Sequence, residues 1–178
     1  MPLDEREFTL VDVADELLDK MEAAAEEQAS YPQGSPGAKQ AAQRGQRNQQ
    51  YRAGVLWALG YPDRSDMDGA RWDAETVTFG ALKNGERRMI ADLAEDKGLS
   101  RGDLYVAAGT VDAPYLEHDP HAKRPEDVVE TALAVADLHP HFADWAEVKI
   151  SDLGGMGAEG NAYRKLVREK RTSENSQS

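Results

Sequence analysis

The sequence predicts a mainly α-helical protein: a small, helical-bundle-like domain with an extended N-terminal helical region and a hinged C-terminal arm. Three observations carry that expectation. Apolar residues recur at three- and four-residue spacing in several segments, the pattern of helices that bury one face. Hydrophobic residues make up 40% of the 178 but aromatics only 7%, so the core leans on Ala and aliphatic side chains. Charge falls into blocks: net −8 over residues 1–27, +4 over 28–62, −11 over 63–163 and +3 over 164–178.

The first element is a helix from Leu10, with Leu10, Val13, Leu17, Met21, Ala24 and Gln28 on one face and Ala14 and Leu18 widening the stripe. Thr9 with Asp12 makes an approximate N-terminal cap, and acidic residues crowd the first turns, where the helix dipole favours them. The turn SYPQGSPG, residues 30–37, breaks the chain. A Gln- and Ala-rich helix then runs from Ala38 to Leu59. Its first half, AKQAAQRGQRNQQ, is polar all round with no stripe to bury, whereas its second half carries Tyr51, Val55, Ala58 and Leu59, with Trp57 on another face. Gly60 suits a left-handed cap and Pro62 blocks continuation.

An acidic loop spans Asp63 to Asp73, and Thr76 to Phe79 fits either a short strand or a helix start. Glu86 to Lys97 reads as a helix with Ile90, Leu93 and Ala94 inward and Gly98 as its cap. Ser100 with Asp103 opens the next helix, which runs to Ala108. Pro125 stands at a helix's first position, followed by Val129, Ala132, Leu133 and Ala136 at helical spacing. Val148 to Ile150 suggests a brief strand, and GGMGAEG, residues 154–160, a hinge. Beyond it Asn161 caps a short basic helix with Tyr163, Leu166 and Val167 on one side. The expected organisation is an N-terminal amphipathic helix (1–30), a polar, Gln/Gly/Pro-rich basic segment (31–50), a helical core (51–153) and a Gly hinge with a basic arm (154–178).

No stretch approaches the roughly 18 consecutive apolar residues of a membrane span. The opening MPLDEREF lacks the basic and apolar regions of a signal peptide, which points to the cytoplasm of the producing cell. With no cysteine there is no disulfide and no thiolate metal site. The 33 acidic residues against 8 lysines fit a salt-adapted host, where screening removes the self-repulsion of a strongly acidic surface.

His118, His121, His139 and His141 lie in one 24-residue window, with Asp119 between the first pair. Imidazoles beside a carboxylate suit zinc, nickel or copper, so these four residues define a metal-dependent enzyme as one alternative. Their spacing argues against a single site, because one pair flanks Asp119-Pro120 and the other follows a helix end. Gly155, Gly157 and Gly160 match a dinucleotide-binding glycine pattern, but too little chain follows for the second strand and the ribose-binding acid, and a hinge explains them. Asp66, Asp68, Gly69 and Glu75 match part of a calcium loop whose first ligand would be Arg64, which cannot ligate. No cofactor is expected.

IADLAEDKGLSRGDLYVAAG, residues 90–109, resembles the paired helices of ribbon-helix-helix regulators: Leu93 and Ala94, then Gly98 to Arg101, then Leu104. That resemblance implies a DNA-binding dimer built on residues 76–108, with a strand at Thr78 to Leu82 entering the major groove. In the strand the pattern fails, since Thr78 and Gly80 take core-facing positions and Phe79 and Ala81 cannot read base edges.

The basic segments supply the candidate partner-binding residues: Arg44, Arg47 and Arg52 in the first, and Tyr163, Arg164, Leu166, Val167, Arg168 and Arg171 in the second. Four cations between residues 28 and 62 make a sparse footprint for nucleic acid, so an acidic protein surface is the favoured partner. In architecture and composition, a small acidic helical subunit with a clamping arm resembles the head–tail connector (neck) proteins of tailed viruses. The expected role is a non-enzymatic subunit of a homo-oligomer or larger assembly, located in the producing cell or in a virion.

Overall fold

The computed structural model describes residues 4–61, 72 and 74–155. Along them run β1 (Glu5–Thr9), α1 (Leu10–Ser30), α2 (Pro36–Ala58), β2 (Thr76–Gly80), α3 (Asn84–Lys97), α4 (Arg101–Gly109), β3 (Thr110–Asp112) and α5 (Pro125–Ala136). A sixth helix, α6, covers residues 140–155. The protein is mainly helical, with one small antiparallel sheet in the order β1-β2-β3.

Helices α1 and α2 form an antiparallel hairpin. Ser35 caps α2, its hydroxyl accepting from the Ala38 N–H at 3.3 Å, and Pro36 takes the first helical position. The polar first half of α2 does bury a face, contrary to the expectation from its sequence. Ala38 and Ala41 are buried, and a Cβ added at Gly45 would stand only 3.5 Å from Ala24 Cβ of α1. A seam of Ala and Gly barely registers as a hydrophobic stripe, yet these residues let two helix axes approach closely. Past Leu17 on α1 and before Gly54 on α2, the buried residues are Ala24, Ala38 and Ala41. This distal part of the hairpin therefore packs on itself and projects from the body. At the base, α2 is buried on several sides at once through Gly54, Val55, Trp57 and Ala58. Gly60 ends it as expected, with φ 83° and the Tyr61 N–H returning to the Leu56 carbonyl at 3.0 Å.

The ambiguous segment Thr76–Phe79 is strand β2. Val77, Thr78, Phe79 and Gly80 are all buried, a condition that favours β-branched and aromatic residues on a pleated surface. Strand β1 has no counterpart in the sequence reading, being only five residues with Phe8 as its one buried side chain. It pairs antiparallel with β2, Arg6 opposite Phe79 and Phe8 opposite Val77. Thr9 consequently ends a strand and makes no side-chain cap on α1; the Leu10 N–H instead donates to the Glu75 carbonyl at 2.9 Å. Charged Glu5, Arg6 and Glu7 occupy the outer strand, a common way of blunting a sheet edge.

Gly98 caps α3 at φ 64°, and the Ser100 hydroxyl accepts from the Asp103 N–H at 3.4 Å to open α4. Pro125 starts α5. The strand expected at Val148–Ile150 is instead part of α6. Phe142, Trp145, Ala146, Ile150 and Leu153 are buried at helical spacing while Val148 is exposed. Two β-branched residues flanking Lys149 suggest a strand locally, but the burial period over the whole segment is that of a helix. Gly154 and Gly155, the start of the expected hinge, lie within this last helix; the remainder of residues 154–178 is outside the described residues.

The core joins both ends of the described chain. Phe8 and Phe79 from the sheet meet Trp145 of α6 at ring separations of 5.6 and 5.7 Å. Phe142, one turn earlier, packs edge-on against Trp72 at 4.7 Å, and Trp72 continues to Trp57 at 5.1 Å and Tyr115 at 5.2 Å. The three Phe and three Trp are thus joined, together with Tyr115, in one connected cluster. Phe8, Leu10, Val13 and Leu17 belong to it as well, so the first helix is rooted in the same core as residues 51–153.

Candidate interaction surface

The two helices of the hairpin carry opposite charge. On α1, Asp12, Asp15, Asp19, Glu22 and Glu26 follow one another at intervals of three and four, which lines them up opposite the buried Leu10, Val13, Leu17 and Ala24. All five are exposed, and among the described residues none is in a salt bridge. On α2, which has no Asp or Glu, Lys39, Gln43, Gln46 and Gln50 line up opposite the Ala38–Ala41–Gly45 seam, with Arg47 beside them. These five are exposed too.

Of the arginines singled out from the sequence, Arg44 forms a salt bridge with Glu27 across the hairpin. Arg52 donates from Nε to the Ala14 carbonyl at 3.2 Å, fastening the base of α2 to α1. Arg47 is exposed with no salt bridge among the described residues. The second basic group, Tyr163, Arg164, Leu166, Val167, Arg168 and Arg171, lies outside the described residues. The acidic line on α1 was legible from its spacing alone, but only the position of the seam shows that it faces away from α2.

The four histidines separate into two unrelated settings. His118 is buried, and its Nδ1 lies 2.8 Å from the Thr131 hydroxyl, which also accepts from the Glu117 N–H at 3.1 Å. This anchors the segment before α5 to that helix. His121 is exposed, its backbone N–H bound by Asp119. His139 is buried at the start of α6, its Nδ1 accepting from the His141 N–H at 3.2 Å, and its carbonyl accepts from the Phe142 N–H at 2.9 Å. His141 stands 3.6 Å from Asp144. Among the described residues no group of three or more His, Cys, Asp or Glu is placed to hold a metal ion.

Burial, and then the Lys123 cation, hold the His118 pKa below 6.5 against the opposing pull of Asp127 and Asp119. The unfolded chain therefore takes up this proton first as pH falls. The sign follows: stability is full above about pH 6.5, declines as pH drops toward the folded-state pKa, and levels off below it. Urea midpoints measured across this range should fall more steeply for the wild type than for His118→Gln. Parallel pH profiles would show that His118 is not held neutral in the fold.

Residues 76–108, where the ribbon-helix-helix resemblance lies, form β2, α3 and α4. Strand β2 is central in the sheet, with β1 on one edge and β3 on the other. It has no free edge for the two-chain ribbon of that family. Arg87 and Arg101 from this segment line a shallow cavity of about 270 Å³ with Ile90, Ala91, Tyr105 and Glu147 of α6. Burial, followed by the Asp144 and Asp103 carboxylates, raises the Glu147 pKa. Glu147 lies too far along the chain for its sequence position to have suggested this grouping.

No protein-family model matches the chain, and comparisons with curated proteins and with solved structures find no significant similarity. Among the described residues no helix is long and apolar enough to cross a membrane.

Proposed function

We propose that this chain is a non-enzymatic structural subunit of an oligomeric assembly, of the kind that serves as a head–tail connector in tailed viruses of salt-adapted hosts. The observation that supports it is the projecting α1–α2 hairpin. Its distal part buries only Ala24, Ala38 and Ala41. Such small side chains contribute on the order of 1 kcal/mol each on burial. Isolated helical segments of about a dozen residues are marginal in water. A projecting arm with so thin a seam is well suited to being completed by neighbours. On this reading the basic segment after α6 clamps a neighbouring acidic surface, Tyr163, Leu166, Val167 and Arg168 supplying the anchor.

Removing residues 156–178, which leaves α6 whole, should reduce the particle seen by light scattering to the mass of a single truncated chain, below the 19.6 kDa of the full one. Far-UV circular dichroism and the melting temperature should stay close to those of the full chain. A wild-type chain that is monomeric in both low and high salt would overturn the proposal.

A further inference from the structure

The hairpin has two outer edges of opposite character, and they belong to the same chain. One edge is the acidic line Asp15, Asp19, Glu22 and Glu26; the other is acid-free and rich in amides, with Lys39 and Arg47. Each lies on the side of its helix facing away from the hairpin seam, so the edges point in opposite directions. A surface of that kind is complementary to itself by translation or rotation about a distant axis, and not by a local two-fold. It describes a head-to-tail interface, which closes into a ring or runs on as a filament.

We propose that a second copy of this chain docks its α1 edge on the α2 edge of the first. The hairpins then stand side by side in a palisade in which every helix is antiparallel to both neighbours. This rests on the reading of the chain as an assembly subunit and adds the partner, the polarity and the pairing.

The register follows from the hairpin itself. Within one chain, Ala24 lies against Gly45, and Glu27 pairs with Arg44. Along the distal part of the hairpin, before Gly54 where α6 covers α2, copies held at the same height in a ring repeat that register on the outer faces. Glu22 then meets Arg47, Glu26 meets Gln43 and Asp19 meets Gln50. One ion pair and two carboxylate–amide hydrogen bonds result, each carboxylate taking a donor that it lacks in the single chain. Nucleic acid is the poorer occupant of the α2 edge, because Lys39 and Arg47 are its only cations that stand outside the hairpin's own contacts. The edge is polar, so its energy comes from one ion pair and from carboxylate–amide hydrogen bonds; the ion pair weakens as salt shortens the screening length from about 10 Å at 0.1 M, and the amide hydrogen bonds hold the pairing at higher salt.

Two reversals test the pairing. Lys39→Glu with Arg47→Glu makes both edges acidic; Asp19→Lys with Glu22→Lys and Glu26→Lys makes both edges basic or neutral. Each variant alone should be monomeric by light scattering in about 0.1 M salt. An equimolar mixture, and the chain carrying all five substitutions, should regain the wild-type mass. Circular dichroism establishes that each variant is helical. The chain lacks cysteine, so a second measurement avoids charge reversal altogether. Glu26→Cys with Gln43→Cys places two thiols on opposite edges of one hairpin, out of reach of each other. A short bis-maleimide should then give a ladder of dimers, trimers and larger species on a denaturing gel, whereas either single-cysteine variant gives no ladder beyond the dimer.

Reversed variants that keep the wild-type mass would overturn the hairpin pairing while leaving the assembly reading intact. So would monomeric variants that the mixture fails to rescue, or a double-cysteine chain that gives no ladder although the wild type assembles. A wild type that never assembles overturns both.

Discussion

Gly54→Ala is expected to destabilise the protein severely, although the same change nine residues earlier in the same helix should stabilise it. A Cβ at Gly54 would stand 2.2 Å from the Phe142 backbone nitrogen and 2.5 Å from the His141 carbonyl carbon. These are main-chain atoms at the start of α6 and cannot rotate away. Alanine gains roughly 1 kcal/mol over glycine in helix propensity. Overpacking a tight core contact costs about 1–3 kcal/mol and more when backbone must move. Because the atoms met are backbone, the cost lies at the top of that range, the clash wins, and a net loss of about 2 kcal/mol is expected. At Gly45 the nearest atom is Ala24 Cβ at 3.5 Å, an ordinary contact. Gly45→Ala should gain roughly 0.5–1 kcal/mol from propensity and unfolded-state entropy. Urea titrations of the two variants read both signs. Equal shifts at the two positions would mean that α2 and α6 do not cross at Gly54.

Ile150→Ala should cost about 2–5 kcal/mol, while Val148→Ala, only two residues away, should stay within about 0.5 kcal/mol. A strand through 148–150 would put both side chains on one face and make them respond alike. In α6 they face different ways: Ile150 is fully buried and Val148 is 38% exposed. Ile150 also explains Gly109, since a Cβ there would lie 2.5 Å from Ile150 Cγ2. Gly109→Ala should accordingly be costly in the wild type and milder when Ile150 is already Ala. A double-mutant cycle measures that coupling directly. Additive effects would remove the α4–α6 contact from the account.

The helices with large side chains on one face were readable because their period survives without any knowledge of neighbours. Leu10, Val13 and Leu17 of α1, Ile90 and Leu93 of α3, and the caps at Gly60, Gly98, Ser100 and Pro125 all belong to this group. Strand β1 was not readable, since EREFT has one buried residue and becomes a strand only because β2 offers it an edge. The Ala/Gly seam of α2 was missed for a related reason. Small residues carry little hydrophobic signal, and their meaning is the distance at which another helix stands.

The candidate surface divides in the same way. The block of sequence without Asp or Glu, and the acidic spacing from Asp12 to Glu26, are properties of the chain and are visible without a fold. Tertiary structure decided which charges remain available. Arg44 and Arg52 are engaged inside the hairpin by Glu27 and the Ala14 carbonyl, whereas Lys39, Arg47 and the acidic line stand on its outer edges. The histidines, adjacent in sequence, are held apart because Thr131 of α5 takes His118 while His139 starts α6. Sequence alone determined helical content, charge blocks and most helix ends, because these depend on period and local chemistry. Only the tertiary structure decided strand β1, the helical course of residues 140–155 and the outward faces of the hairpin, because each depends on a partner distant in the chain.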